Sequence, residues 1–176
     1  MWRRHRYGPD AVLRRKREGA TAVEFAIVAL PFFFMMFALM ELGLIFVLDS
    51  VLSNALMGSS RLIRTGQAQA ATMTAEEFRD DVCGRMSVFA TQCDERISID
   101  VRVIPAFDTP LPDPMADGTT FNNSQLTFQP GTVNSLVVVR IWYEQPLATT
   151  FLGQALSRLS DGSVRLMATT AFRNEP

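Results

Sequence analysis

The chain has 176 residues, enough for one modest domain and a membrane anchor, and its formal net charge is −1. Residues 1–18 contain seven Lys and Arg but only two Asp and Glu, which leaves −6 on the remainder. A basic block directly before an apolar run more often sets the orientation of a membrane segment than binds nucleic acid, because flanking Lys and Arg stay in the cytoplasm. We therefore expect no nucleic-acid partner, a cytoplasmic leader over residues 1–19 and an external C-terminal region.

An apolar run from Phe25 to Leu48 contains a single charged residue, Glu41. The run exceeds the apolar core of about 7–15 residues in a secretory signal peptide, and no small-residue cleavage site follows it. It predicts a retained transmembrane helix, for which we take residues 20–48. No second run approaches this length, so the chain is expected to cross the lipid bilayer once.

The predicted transmembrane helix is about 44 Å long, whereas a hydrocarbon core is about 30 Å thick. Two registers are therefore possible. In the first, residues 20–40 span the bilayer, with Glu24 inside it and Glu41 at the outer interface. In the second, residues 25–48 span it and Glu41 is buried in lipid. We favour the first register, because the sequence shows no partner for a buried Glu41.

Residues 49–67 continue the helical pattern and become amphipathic. Gly66 then indicates the end of the helix. The predicted apolar face consists of Val51, Leu52, Ala55, Leu56, Ser59, Leu62 and Ile63. The predicted polar face consists of Asn54, Ser60, Arg61 and Arg64.

The external region, residues 68–176, begins with a helix signal. Thr74 and Glu77 have the spacing of a capping box, in which each residue satisfies a backbone donor near the other. One apolar face follows, formed by Phe78, Val82, Met86 and Phe89.

Three later segments have the pattern of strands: residues 97–103, 133–143 and 164–173. A Pro- and Gly-rich loop, residues 105–131, separates the first two strands and is a candidate contact surface. A short amphipathic helix over residues 147–159 is predicted between the last two. The expected fold class is α+β, with an antiparallel sheet packed on helices after the long N-terminal helix.

Cys83 and Cys93 are the only cysteines, and both lie on the external side of the predicted span. In an oxidising compartment two thiols favour one disulfide, which would stabilise the fold by roughly 2–3 kcal/mol. The alternative is two separate buried thiols. A metal site is not expected, because the only histidine, His5, lies across the membrane.

Motifs of catalysis are missing from the sequence. There is no nucleophile elbow, phosphate-binding loop, CxxC or HExxH, and the external region has no histidine to act as a general base. The acidic pairs of the external region fit a solvated helix surface. We therefore expect neither enzymatic activity nor a cofactor.

The junction between the basic leader and the apolar run consists of small residues, from Gly19 to Ala22. Such residues leave the backbone open to a protease, although they can also simply begin a helix. A cut after Gly19 gives Ala20 a new α-amine, one helical turn from the Glu24 carboxylate. Each of these opposite charges lowers the free-energy cost of placing the other in a medium of low dielectric constant. The amine of a neighbouring subunit is an alternative partner, and in an uncut chain Arg17 is another.

The sequence Glu18-Gly19-Ala-Thr-Ala-Val-Glu24-Phe25-Ala-Ile-Val-Ala-Leu-Pro31 resembles the amino-terminal signature of the TadE-like proteins. The closing residues 172–176 also look typical of that family. These are pilin-like components of the bacterial tight-adherence (Tad, or Flp) pilus system. The resemblance implies a pilin-like fold in the inner membrane, with the external domain, residues 68–176, in the periplasm. It also implies a prepilin peptidase that cuts between Gly19 and Ala20.

The same resemblance gives Glu24 a role in processing and subunit packing. Major Flp pilins are much shorter and have tyrosine where this chain has Phe25. That difference favours a minor pseudopilin, which takes part in pilus assembly and surface adhesion. Its expected partners are the prepilin peptidase, other Tad pilins and pseudopilins, and the inner-membrane assembly platform. A permanently anchored, uncleaved scaffold or binding module is the alternative.

Overall fold

The structure is a computed structural model that describes residues 9–116, 120–149 and 162–176. It divides into two compact units, the first ending at Met40 and the second comprising Glu41–Pro176. The helices are α1 (Pro9–Arg64), α2 (Gln67–Ala70), α3 (Ala75–Arg85) and α4 (Cys93–Arg96), with 3₁₀ turns at Ser87–Gln92 and Asn123–Gln125. The strands are β1 (Ile97–Ile104), β2 (Leu136–Pro146) and β3 (Ser163–Arg173).

Helix α1 is longer than the sequence pattern predicts, because it begins at Pro9 instead of near Ala20. Proline is favoured in the first turn of a helix, and the Leu, Arg, Lys and Glu residues that follow are good helix formers. Within the described residues, one helical stretch is long and apolar enough to cross a membrane by length and composition, Ala20–Arg64. The apolar side chains of its first half are exposed, as Phe25 (71 %) illustrates.

The later part of α1 supplies one wall of the hydrophobic core of the second unit. Its buried apolar residues are Ile45, Leu48, Leu52, Ala55, Leu56 and Ile63. Ser60 was predicted on the polar face and is buried, so that placement was wrong. Helix α1 ends at Arg64, and Gly66 adopts a left-handed φ of 78°, as expected of a helix stop.

Helix α3 starts with the predicted capping box. The Thr74 hydroxyl accepts from the Glu77 backbone N–H, and the Glu77 carboxylate accepts from the Thr74 backbone N–H at 2.8 Å. Its apolar face is buried at Phe78 and Val82, and Met86 at its C-terminal cap is buried as well. This face therefore joins the same core as α1.

The three strands form one antiparallel sheet in the order β1-β2-β3, which confirms the α+β class. Val139 of β2 lies opposite Val101 of β1 and Thr170 of β3. Strand β2 begins at Leu136, later than the predicted residue 133, because the preceding turn places Asn134 at a φ of 64°. The helix predicted over residues 147–159 falls mainly outside the described residues.

The residues between β1 and β2 cover the second face of the sheet. Leu111 packs on the buried side chains of Ile104 and Val138, and Phe121 stacks edge-on against Trp142. Phe128 pairs in parallel with Val101 at the outer edge of β1. Because both faces of β1 are covered, its burial does not follow the simple alternation predicted for a half-buried strand.

Candidate functional site

The predicted cleavage junction lies within α1. The helix runs without interruption from Pro9 past Gly19 and Ala20. Ala20, Glu24 and Phe25 are all exposed. Residues 20 and 24 are four apart and so share one face of the helix, which is the geometry that an amine–carboxylate pair between them needs.

Glu41 is the second acidic residue in the apolar part of α1, and it has partners that the sequence did not reveal. Its carboxylate accepts hydrogen bonds from the backbone N–H groups of Ala148 and of Thr149, the latter at 2.9 Å. Both donors lie just after β2, in irregular backbone. The carboxylate thus satisfies two main-chain donors that no strand or helix satisfies.

Cys83 and Cys93 form a disulfide, with their Cα atoms 5.6 Å apart. Cys93 is fully buried and Cys83 nearly so. The bond joins α3 to α4 across the 3₁₀ turn. The side chain of Val88 in that turn is 82 % exposed.

A buried cluster of charges on the second face of the sheet was missed by the sequence patterns. Asp100 is fully buried, and its carboxylate accepts hydrogen bonds from Arg102 Nε at 2.8 Å and from Arg140 Nη2 at 2.8 Å. The Thr127 backbone N–H also donates to it at 2.9 Å. Burial raises the pKa of Asp100, but the hydrogen bonds from Arg102, Arg140 and Thr127 outweigh burial and hold that pKa below its ordinary value.

The same cluster fastens the loop between β1 and β2 to the sheet. Arg140 Nη1 donates to the Pro112 carbonyl at 2.9 Å, and Arg102 donates to the Gln125 carbonyl. The Arg140 guanidinium also lies 5.0 Å from the centre of the Trp142 ring. A charged residue in the middle of the apolar run of β2 was the one available sequence signal for this cluster.

The C-terminal residues fasten the end of β3 to the end of α1. Asn174 is buried, and its Nδ2 donates to the carbonyls of Pro130 at 2.9 Å and Thr132 at 3.0 Å. The backbone N–H of Glu175 donates to the Arg64 carbonyl at 2.8 Å, and the two side chains form an ion pair at 2.9 Å. These contacts give Asn174 and Glu175 a structural role beyond their resemblance to the family.

The cavities among the described residues are open to solvent. A cavity of about 470 Å³ is bounded by Ser60, Arg61 and Arg64 of α1 and by residues 170–172 of β3. Within the described ranges, no group of three or more His, Cys, Asp or Glu residues has the arrangement of a metal site. The apolar helix, its junction and the surfaces of the second unit are the other features that the described residues offer for function.

The described residues define a class: a protein in which one long apolar helix continues into a small disulfide-bonded α+β domain. Residues 19–61 match the model of the family described as TadE-like protein, so the resemblance to the TadE-like family is confirmed over this segment. The match links the chain to the Tad pilus system. Neither curated proteins nor solved structures gave a significant match.

Proposed function

We propose that this protein is a minor pseudopilin of the Tad pilus system, anchored in the bacterial inner membrane by one helix and processed after Gly19. The observation that carries the proposal is the position of the family match. It begins at Gly19 and extends along α1 to Arg61, so it contains the junction, Glu24 and the whole apolar segment. The role is structural, in pilus assembly and surface adhesion.

The proposed membrane segment is residues 20–40. These residues give a helix about 31 Å long, which matches a hydrocarbon core of about 30 Å. Irregular backbone exposed to lipid is not tolerated within that core, so the N–H groups that bond to Glu41 belong outside it. Leu48 is fully buried in the core of the second unit, which also supports ending the span near Met40. The basic residues of the leader orient the second unit towards the periplasm.

Cleavage after Gly19 creates a positively charged partner for the Glu24 carboxylate. A lone carboxylate inside the bilayer costs about 2.5–3.5 kcal/mol on insertion scales. The new α-amine of Ala20, on the same subunit or on a neighbour, compensates part of that cost. The proposed partners are therefore a prepilin peptidase first, then other Tad pilins and pseudopilins and the inner-membrane assembly platform.

A substitution at Gly19 tests the processing step. In the bacterium that encodes the protein, Gly19→Ala is expected to leave the chain at full size and to reduce pilus-dependent adhesion. Gly43→Ala is the matched control, because Gly43 lies in the same helix and an added Cβ meets no atom within 4 Å. A Gly19→Ala chain that still has the size of the unsubstituted protein, in a strain that adheres normally, would contradict the proposal.

Glu24 is tested separately from the fold. Glu24→Ala is expected to impair adhesion while the second unit keeps its disulfide and its resistance to protease. Glu95→Ala, at an exposed carboxylate of α4, serves as the control and is expected to leave adhesion unchanged. Full adhesion in the Glu24→Ala strain would remove the packing role.

One observation favours a second candidate, a permanently anchored periplasmic scaffold or binding module. Helix α1 passes through Gly19 and Ala20 without a break, and a protease needs its target bond in an unwound backbone. For such a scaffold, Gly19→Ala would change neither the size nor the function of the protein.

A further inference from the structure

The outer edge of β3 is open in the part of the chain that the structure describes. Strand β2 lies between β1 and β3, so β3 pairs on one side only. The opposite edge of the sheet, formed by β1, has a hydrogen-bonded neighbour. There, Val101 of β1 donates to the Thr127 carbonyl and accepts from the Gln129 N–H, both at 2.8 Å. The protein's own loop thus pairs with the β1 edge at Val101, whereas no described segment pairs with the outer edge of β3.

Among the described residues, the open edge also lacks the features that usually prevent pairing with another chain. Natural edge strands are protected by charged residues, prolines, bulges or a covering segment. Residues 166–172 of β3 contain seven consecutive uncharged residues and no proline. Met167, Thr169 and Ala171 lie on the second face of the sheet and are exposed, so the loop between β1 and β2 does not cover this part of that face. A long, uncharged and exposed edge is a template for strand addition.

A groove beside this edge indicates the chemistry of the added strand. It is the 470 Å³ cavity between α1 and residues 170–172 of β3. Arg64 is neutralised by its ion pair with Glu175, whereas the exposed Arg61 side chain has no hydrogen-bond or ion-pair partner within the described ranges. Arg173, at the end of the strand, is likewise exposed without a partner there. The groove therefore offers positive charge that is not compensated.

We propose that the β3 edge binds an extended, acidic segment of a partner protein, which adds to the sheet as a further strand and places a carboxylate near Arg61. Main-chain hydrogen bonds along residues 166–172 supply affinity, and Arg61 selects for acidic sequence. A second copy of β3 fits less well, because antiparallel pairing centred on Thr169 sets Arg165 opposite Arg173. The proposal concerns the second unit alone and stands whether or not the chain is cut after Gly19.

Site-specific photocrosslinking in the native membrane tests this interaction. The photoreactive residue p-benzoylphenylalanine is placed at Thr169 in the full chain, and crosslinked peptides are identified by mass spectrometry. Val88 is the control position, since it is 82 % exposed but lies in the disulfide loop, away from β3. The intact Cys83–Cys93 bond, read from mobility on non-reducing gels, shows that each variant has folded.

The expected result is a Thr169 crosslink to one segment of another protein that contains Asp or Glu, with no such product from Val88. Arg61→Glu should reduce its yield roughly tenfold, and Arg61→Lys should retain most of it, because charge reversal adds repulsion to the lost attraction. The proposal is overturned by no Thr169 product, by the same product from Val88, or by a yield insensitive to Arg61→Glu. A crosslink to β3 of a second copy also overturns it.

Discussion

The buried carboxylate of Asp100 provides the sharpest stability prediction. Asp100→Asn removes the negative charge between two guanidinium groups, one of which is strongly buried: the side chain of Arg140 is 9 % exposed and that of Arg102 is 19 % exposed. Removing one partner of a buried ion pair typically costs about 3–5 kcal/mol, because the other charge is left buried and uncompensated. Most of that cost comes from Arg140, since Arg102 has more access to water.

Urea unfolding of the full chain in detergent micelles measures this loss. For a slope of about 2 kcal/mol per molar urea, a loss of about 4 kcal/mol lowers the midpoint by about 2 M. Trp142 is a suitable fluorescent reporter, since it lies beside Arg140, and Trp2→Phe removes the other tryptophan. Asp94→Asn, at an exposed carboxylate, should change the free energy of unfolding by less than about 0.5 kcal/mol. An equally small change for Asp100→Asn would refute the reasoning.

The difference in stability between the native chain and Asp100→Asn should depend on pH, because the pKa of Asp100 is lowered in the folded protein. A carboxyl group whose pKa is lower in the folded than in the unfolded chain stabilises the fold above its unfolded pKa of about 3.9. That contribution is lost as the pH falls through the folded pKa. The gap in urea midpoint between the native chain and Asp100→Asn should therefore be constant near neutrality and narrow below about pH 4. A gap in urea midpoint that stays constant below about pH 4 would contradict the lowered pKa of Asp100.

Three further predictions concern the contacts around α1 and the disulfide. Replacing Cys83 and Cys93 together by alanine should lower the free energy of unfolding by about 2.8 kcal/mol, from loop closure, as measured by urea titration; no change would mean that the bond does not form. Gly58→Leu should cost about 1–3 kcal/mol in the same titration. The reason is that a Cβ at Gly58 already lies 3.1 Å from the guanidinium of Arg85; unchanged stability would show that this side chain moves away freely. Glu41→Gln removes the charge that accepts two backbone N–H groups, so limited proteolysis should cut the segment after β2 faster; an unchanged rate would dismiss Glu41 as its anchor.

Local signals in the sequence were sufficient for several elements of the fold. The capping box of Thr74 and Glu77 depends on residues three apart, and the stop at Gly66 depends on one backbone conformation. The strands could be recognised because each is a short apolar or alternating segment, the pattern of a strand with at least one face buried. The start of α1 was misplaced, since the basic leader has good helix formers but no apolar pattern to reveal them.

The contacts that the sequence did not reveal are long-range. Asp100 and Arg140 are 40 residues apart, and Glu41 bonds to N–H groups more than 100 residues away. Nothing in a local pattern indicates which buried charge meets which partner. Ser60 illustrates the same limit, because its hydroxyl occupies a helical position that the sequence pattern assigned to the polar face and is nevertheless buried.

The central claim is that this chain becomes a pseudopilin by one cut between Gly19 and Ala20. Intact-mass analysis of the protein isolated from the membranes of its own bacterium, with the prepilin peptidase present, tests it most directly. The proposal predicts a mature chain of residues 20–176 that begins at Ala20 and that disappears in the Gly19→Ala strain. A membrane protein that still begins with the leader, with no trace of the shorter chain, would contradict the claim and favour the uncleaved scaffold.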